Sequence, residues 1–396
     1  MKFSMIFEAQ LAFPTREHER EVLHDCVEQA VLAEEMGFDR VWSVEHHSLL
    51  RYAHLSAPEV FLSFVAAKTS RIRIGHGVVC LPFNYNHPIR VAERAATLDV
   101  LSGGRLDLGA GRGATLQEMS AFGVDPHDTY PQLEESLRMI GHMWDEDEFE
   151  WHGDLLDVDP HPIIPRPVQE PHPPLYLACT KRDTVTLAAE LGVGALVLGF
   201  SGPDEIAVMG SIYDETRASR TGDRFVSTVV NDHFSALCPA IVLDDRDEAL
   251  RMGTRGQRFF AEGIAHWYGA GPPPEDDPHD EVEQVKHEMA ADADRIVAML
   301  HEAEIPVQPA TTGIFNPEHA YGTADDAIAY LERLRQTGAD EVMFLIQMGT
   351  VPQSACMATI RNLGEHVLPH FRELEKRGDG DVHRGVRPAA ASRQDV

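Results

Sequence analysis

The chain has 396 residues, 43% of them hydrophobic, enough for two ordinary domains or one large α/β barrel with insertions. Its formal charge of −30, from 34 basic against 64 acidic residues, repels phosphate backbones and argues against nucleic-acid binding. No apolar run reaches membrane-spanning length, and five scattered cysteines without a CxxC pair favour free thiols in a reducing cytoplasm over a disulfide framework or a zinc site.

The chain opens on an apolar run, KFSMIF (2–7), that reads as a strand, without the flanks of a signal peptide. Residues 18–38 carry Val22, Cys26, Val27, Ala30, Val31 and Ala33 at helical spacing, with Gly37 placed to cap the end. RVWSV (40–44) is a second strand, 57–70 a helix with Pro58 in its first turn, and RIRIGHGVVCLP (71–82) a third strand. A helix over 89–104 leads to a fourth strand, RLDLGAG (105–111). PLYLAC (174–179), a helix over 183–191, GALVLGF (194–200), a strand within 226–243, a helix over 324–338 and ADEVMFLIQM (339–348) continue the alternation.

The strands are short and apolar without clean alternation, as in a parallel sheet buried on both faces. Roughly eight β/α steps predict a (β/α)8 TIM barrel over 1–376, with a doubly wound sheet as the main alternative. Two segments read as insertions that build or cover the C-terminal mouth. In 145–174, seven prolines between Pro160 and Pro174 argue against regular structure. The second, 263–303, opens on Trp267 and Tyr268, crosses a Gly-, Pro- and acid-rich stretch (268–282) and turns helical to its end. The polar tail 377–396 lacks periodicity and is expected to be disordered.

Chemistry-bearing residues gather at strand ends. Glu45, His46 and His47 follow the second strand, where neighbouring side chains face opposite ways, so the two histidines cannot easily serve one small site. Two structural histidines are the competing reading. GHGVVCLP (75–82) is either a tight turn or a strained backbone beside a cofactor ring. LDLGAGRGATLQEM (106–119) nearly matches a dinucleotide fingerprint, but three strands precede it and no acid-ended strand follows. A glycine-rich strand end that lets a flat ligand approach, with Arg112 projecting from it, is the preferred reading. In ACTKRDTV (178–185), Thr180 or Asp183 caps a helix, or Thr180, Lys181 and Arg182 form a phosphate site at its N-terminus. The 21 histidines include no HExxH pair, and the two DPHD stretches (125–128 and 277–280) lie in acidic turns, so no metal site is predicted. No GxSxG nucleophile is present.

Strand one, WSVEHHS (42–48), the block from Gly75 to Gly113 and HVLPHF (366–371) together resemble the bacterial luciferase-like family of flavin-dependent oxidoreductases, over most of the chain. The stretch 71–113 resembles the reduced-FMN monooxygenases, which include luciferase chains and flavin-dependent Baeyer–Villiger enzymes, more than the F420-dependent branch. The resemblance implies a (β/α)8 fold and FMN, as FMNH2 from a separate NAD(P)H:flavin reductase. It implies that O2 adds at the flavin C4a position and oxygenates a small organic substrate, by Baeyer–Villiger chemistry or hydroxylation. It also implies a homodimer joined through helices of the barrel's first half, where 57–70 offers an apolar face. An F420-dependent oxidoreductase and a non-catalytic flavin-binding barrel stand as alternatives.

Carried onto this sequence, the resemblance implies His46 as the catalytic residue at the flavin edge and a cis peptide at Gly77–Val78 under the ring. It implies Gly111 and Arg112 beside ring and phosphate. Cys179, Thr180 and the turn through Lys181 and Arg182 to Thr184 would hold the phosphate, with Gly199 and Phe200 at the next strand end. Luciferase α chains carry a cysteine where Gly111 stands, a glutamate at Cys179 and a phosphate-holding arginine at Tyr130. The last change leaves Lys181 or Arg182 to take that role. These departures count against light emission, not against flavin binding. The 263–303 segment is expected to close over the site.

Overall fold

Eight strands, each too short to stand alone, close on one another: β1 (Lys2–Phe7), β2 (Arg40–Ser43), β3 (Arg73–Cys80), β4 (Leu106–Gly111), β5 (Leu175–Cys179), β6 (Gly194–Val197), β7 (Phe234–Val242) and β8 (Glu341–Leu345). Every neighbouring pair is parallel, and β8 returns to β1 with Lys2 opposite Glu341 and Met5 opposite Phe344. The fold is therefore a (β/α)8 TIM barrel, since a doubly wound sheet would leave two open edges. The computed structural model describes residues 1–269, 271–276, 281–302, 307, 309–377 and 386–388.

The period-two alternation hidden in the apolar strands becomes visible once the barrel closes. On β1, Phe3 packs against Phe371 and Phe7 against Phe61, both on surrounding helices. Ser4, Ile6 and Glu8 face the other way, into the barrel: Ser4 bonds Glu341, while Ile6 and Glu8 line the mouth. Large rings fill the barrel's middle. Trp42 meets Tyr176 edge-on with centroids 5.1 Å apart. Gly75 exists to admit them, because a Cβ there would stand 2.2 Å from Trp42 Cε3.

Below the rings lies a buried charge network. Arg40, 2% exposed, pairs with Asp107 at 2.7 Å and with Glu341. Glu341 also accepts from Ser4 at 2.6 Å and from Trp42 Nε1 at 2.9 Å, and lies 3.0 Å from His233 Nε2. Burial opposes charge on Glu341, yet Arg40 and His233 hold its carboxyl well below the usual range. The network belongs to the N-terminal half of the barrel, so the apolar mouth lies at the opposite end.

The first insertion departs from expectation. Phe149–His152 and Asp157–His161 form an antiparallel hairpin, with Pro160 confined to its outer strand, where a missing N–H is tolerated. The remaining prolines follow it, including cis bonds at Ile164–Pro165 and Glu170–Pro171. The second insertion is built from the end of the helix Arg246–Gly269, the chain 271–276 and the helix Val282–Glu302. Arg258 joins the two helices through Glu288 at 2.7 Å. The DPHD stretch at 277–280 lies outside the described residues, as does most of the tail. Within the tail, Val386–Pro388 pairs antiparallel with Val229–Asn231, regular structure that its composition did not indicate. No helix among the described residues is long and apolar enough to cross a membrane.

Candidate active site

Where the strands end at the C-terminal face, a cavity opens. Ile6, Val44, Val78, Leu133, Leu196, Leu198, Leu237 and Met343 make its walls apolar. The polar lining comprises Glu8, Glu45, His46, Tyr52, Arg112, Tyr130, Thr180, Thr184 and Tyr268.

His46 and His47 lie in the loop after β2 rather than on the strand, yet they diverge as extended neighbours do. His46 faces the cavity. Its Nδ1 lies 2.9 Å from Glu118 Oε1 and its ring meets Tyr52 edge-on at 5.3 Å. His47 does not line the cavity. It stacks on Tyr85, touches Phe122 and lies 3.1 Å from Glu45 Oε1. Glu45 accepts from the Cys80 backbone N–H at 2.7 Å and from Asn86 Nδ2 at 2.9 Å, so it supports the loop from behind.

Three groups missed by the sequence reading complete this polar wall. Glu118 begins a helix through a reciprocal capping box, Oε2 accepting from Thr115 N–H at 3.0 Å and its hydroxyl at 2.9 Å. The TLQE signature (115–118) was legible, but its reach to His46 was not. Glu8, 7% exposed, sits with Oε2 3.8 Å from His46 Nε2, beyond hydrogen-bond range, and that oxygen has no partner among the described residues. Its one sequence signal is an acid directly after an apolar strand. Tyr52 stands in the loop over His46, with no local motif to mark it.

Burial separates the two carboxyls. It pushes Glu8 up to about 7, with only His46 countering it. Burial also acts on Glu118, but the bonds from His46, the His47 backbone and Thr115 outweigh it and hold that carboxyl below its ordinary value. For His46, burial opposes the charged ring, and Glu118 and Glu8 overcome it, raising the imidazole above its usual value.

The glycine-rich strand ends shape the adjoining wall. The Gly77–Val78 peptide is cis, where the β3–β4 register shifts between His76 and Val79. A Cβ at Gly111 would stand 2.4 Å from Val78 Cγ2, so Val78 fills the room that a cysteine at 111 would need. Arg112 lies over the Tyr130 ring at 4.8 Å and is the one Arg or Lys lining the cavity among the described residues.

The β5 end is only partly as expected. Thr180 and Thr184 line the cavity, at the start of the helix Arg182–Leu191. Lys181, not Thr180 or Asp183, is its N-cap residue, and the Thr184 hydroxyl donates back to Lys181 O at 2.8 Å. Cys179 is fully buried with Sγ toward Thr184 O, since strand alternation turns it away from the mouth. Lys181 is exposed off the cavity, and Arg182 turns outward to Glu205 at 2.7 Å. Neither cation lines the cavity, although the resemblance left one of them to take the role of the arginine that luciferase α chains carry where Tyr130 stands. Gly199 and Phe200 also miss the cavity. Phe200 packs against Phe260, a Cβ on Gly199 would strike Leu237 O at 1.8 Å, and Leu198 takes the inward position. Trp267 donates to Leu50 O at 3.2 Å, while Tyr268 reaches the cavity rim.

Comparison with known proteins agrees with this architecture. A profile of the family described as luciferase-like monooxygenase matches residues 1–341. The chain is 24% identical over 392 residues to the oxygenase component of a flavin-dependent trigonelline monooxygenase from Acinetobacter baylyi, covering 94% of this chain and 96% of that one. It is 33% identical over 192 residues to an F420-dependent glucose-6-phosphate dehydrogenase from Kineococcus radiotolerans, covering 47% of this chain and 54% of that one. Among solved structures, the monooxygenase RslO1 from Streptomyces bottropensis superposes with a TM-score of 0.74 at 22% identity, covering 94% of this chain and all (100%) of that one. The FMN-bound oxygenating constituent of 3,6-diketocamphane monooxygenase from Pseudomonas putida gives 0.68 at 17% identity, covering 93% and 98%.

Proposed function

The chain belongs to the luciferase-like monooxygenase family, and from that premise we propose that it is the oxygenase of a two-component system that takes FMNH2 from a separate reductase and uses O2 to oxygenate a small organic substrate. One observation carries the reading: a slot with apolar walls has the His46–Glu118 pair at its rim and a helix N-terminus at its β5 end. These residues fit the cofactor. Val78, Leu196 and Leu198 offer a flat apolar bed, and the bare Gly111 lets Val78 pack against the β4 end. Thr180, Thr184 and the first N–H groups of the following helix suit a terminal phosphate, with Arg112 as the available cation.

When bound, reduced flavin supplies the electrons and the site for oxygen activation. The chain's own part is positional. Glu118 fixes the His46 ring, so that Nε2 points at whatever occupies the mouth and holds or moves a proton there. The leucines, Val78 and Met343 exclude water, and Tyr268, at the end of its helix, contributes to cover. Substrate oxygenation proceeds by Baeyer–Villiger chemistry or hydroxylation. Five free, buried cysteines suit a cytoplasmic protein, and the exposed Val60 and Phe64 on the helix Pro58–Lys68 suit a homodimer contact.

The cofactor assignment is tested by anaerobic equilibrium dialysis against FMNH2 and reduced F420. Retention of FMNH2 at micromolar concentration is expected. Tighter retention of F420 would overturn both the cofactor and the oxygenase reading.

A further inference from the structure

Of the two carboxyls flanking His46, only one is fully engaged. Glu118 receives the ring, a backbone N–H and the Thr115 hydroxyl. Glu8 lines the cavity from the other side, more than nine-tenths buried, and its Oε2 has no hydrogen-bond partner among the described residues. A buried polar atom without a hydrogen-bond partner is costly, so one on a side chain that lines a binding cavity calls for a ligand.

Its protonation follows from its neighbours. His46 faces it from the loop after β2 and favours the anion; Glu118, from the helix Leu116–Phe122, opposes it. Glu45, Tyr52, Tyr268 and Arg112 line the same cavity. With Glu118 already the counter-ion of His46, a second anion here would stand uncompensated in an apolar mouth, and burial holds the Glu8 proton up to about 7. A neutral carboxyl is an O–H donor, and His46 Nε2, when protonated, is a second donor 3.8 Å away. Two convergent donors in an apolar pocket select an oxygen acceptor and leave a hydrocarbon isostere unrewarded.

We propose that Glu8 anchors the organic substrate, donating a hydrogen bond from its carboxyl group to a carbonyl oxygen held jointly with His46 Nε2. This rests on the oxygenase reading above for the site's purpose, and it narrows the substrate class to carbonyl compounds.

The test uses the purified full chain without added flavin and two ring-matched probes, cyclohexanone and methylenecyclohexane, which differ in the acceptor oxygen. Binding is followed by ligand-observed NMR at pH 6.5. Cyclohexanone is expected to bind the wild type more tightly than methylenecyclohexane. Glu8→Leu should weaken the ketone about tenfold and spare the alkene, while Glu8→Gln, which keeps an N–H donor of similar shape, should stay within about twofold for both. Infrared difference spectra should show protonated-carboxyl absorption that titrates near neutrality in the wild type and is diminished in Glu8→Gln. The contrast with that variant separates Glu8 from Glu262, which burial also raises to about 7.

Equal binding of the two probes by the wild type, an equal loss of both in Glu8→Leu, or absorption that Glu8→Gln leaves undiminished would overturn the proposal. So would the absence of any ketone binding. Because no arm depends on flavin, failure of FMNH2 retention with these contrasts intact would remove the oxygenase reading alone.

Discussion

Glu118 Oε1 lies 2.9 Å from His46 Nδ1 and accepts the His47 backbone N–H at 3.0 Å, so one carboxylate oxygen holds both a ring and the backbone behind it. Oε2 is bound in turn by Thr115, which stops the carboxylate from rotating away. Among the influences that raise the His46 imidazole, this bond is the strongest, against the opposing effect of burial. Glu118→Gln should therefore lower the His46 titration midpoint, measured by imidazole NMR. An unchanged or raised midpoint would remove Glu118 from its positioning role.

The neighbouring histidines should separate cleanly. His46→Ala is expected to lower turnover at least about tenfold with FMNH2 retention preserved, the low end of general acid–base contributions. His47→Ala should instead lower the unfolding midpoint, because that ring packs on Tyr85 and Phe122 outside the cavity. Steady-state rates and thermal unfolding of both variants decide the assignment, and the reverse pattern would exchange the two roles.

Phosphate binding should depend on side chains that reach the cavity rather than on the nearest cations in sequence. Thr180→Ala and Arg112→Ala should each weaken FMNH2 binding by about 1–3 kcal/mol while leaving riboflavin nearly unaffected. Arg182→Ala should leave both ligands within about twofold, because its guanidinium is committed to Glu205 and half-exposed pairs of this kind are worth about 0–1 kcal/mol. Anaerobic titrations with both flavins report the difference. An equal loss of riboflavin would move Thr180 and Arg112 away from the phosphate.

Glu8 should make the protein less stable as pH rises. Its folded-state value of about 7 stands above the ordinary 4.5, so between those limits the folded chain keeps a proton that the unfolded chain releases. The contribution favouring the folded state is complete below pH 4.5, falls through that window and is lost above about 7. Glu8→Gln cannot titrate. Its unfolding midpoint relative to wild type should therefore climb from pH 4.5 to 7 and level off beyond. A gap independent of pH would place the Glu8 proton outside this account.

The buried network at the opposite end carries a stability prediction. Arg40→Met leaves Asp107 and Glu341 without their shared cation, although Arg73 still reaches Asp107 at 2.7 Å. Breaking one partner out of a buried set costs about 3–5 kcal/mol, read from urea unfolding. A loss under about 1 kcal/mol would mean that the remaining donors satisfy both carboxylates.

How far the residues themselves reveal this protein differs between fold and site. The β/α alternation, the glycine-rich strand ends and the position of the mouth were legible, because each rests on short-range periodicity or on residues adjacent in sequence. The cis peptide at Gly77–Val78 and the inward placement of His46, Gly111, Arg112, Tyr130, Thr180 and Thr184 accord with the family resemblance. Cys179, Lys181, Arg182, Gly199 and Phe200 share the same motifs, yet they point elsewhere. A one-residue step in an extended strand end reverses the face that a side chain presents, and Glu205 draws Arg182 outward.

By itself, then, the sequence determined a parallel barrel and the end of it that carries the chemistry, since hydrophobic spacing and turn residues act locally. Tertiary structure alone decided which groups meet there. Glu8 directly follows the first strand, His46 lies in the loop after the second and Glu118 in a helix 72 residues beyond that histidine. Only closure of β8 onto β1 aligns their heights and faces, and only the dry interior thus formed sets one carboxyl to hold its proton and the other to release it.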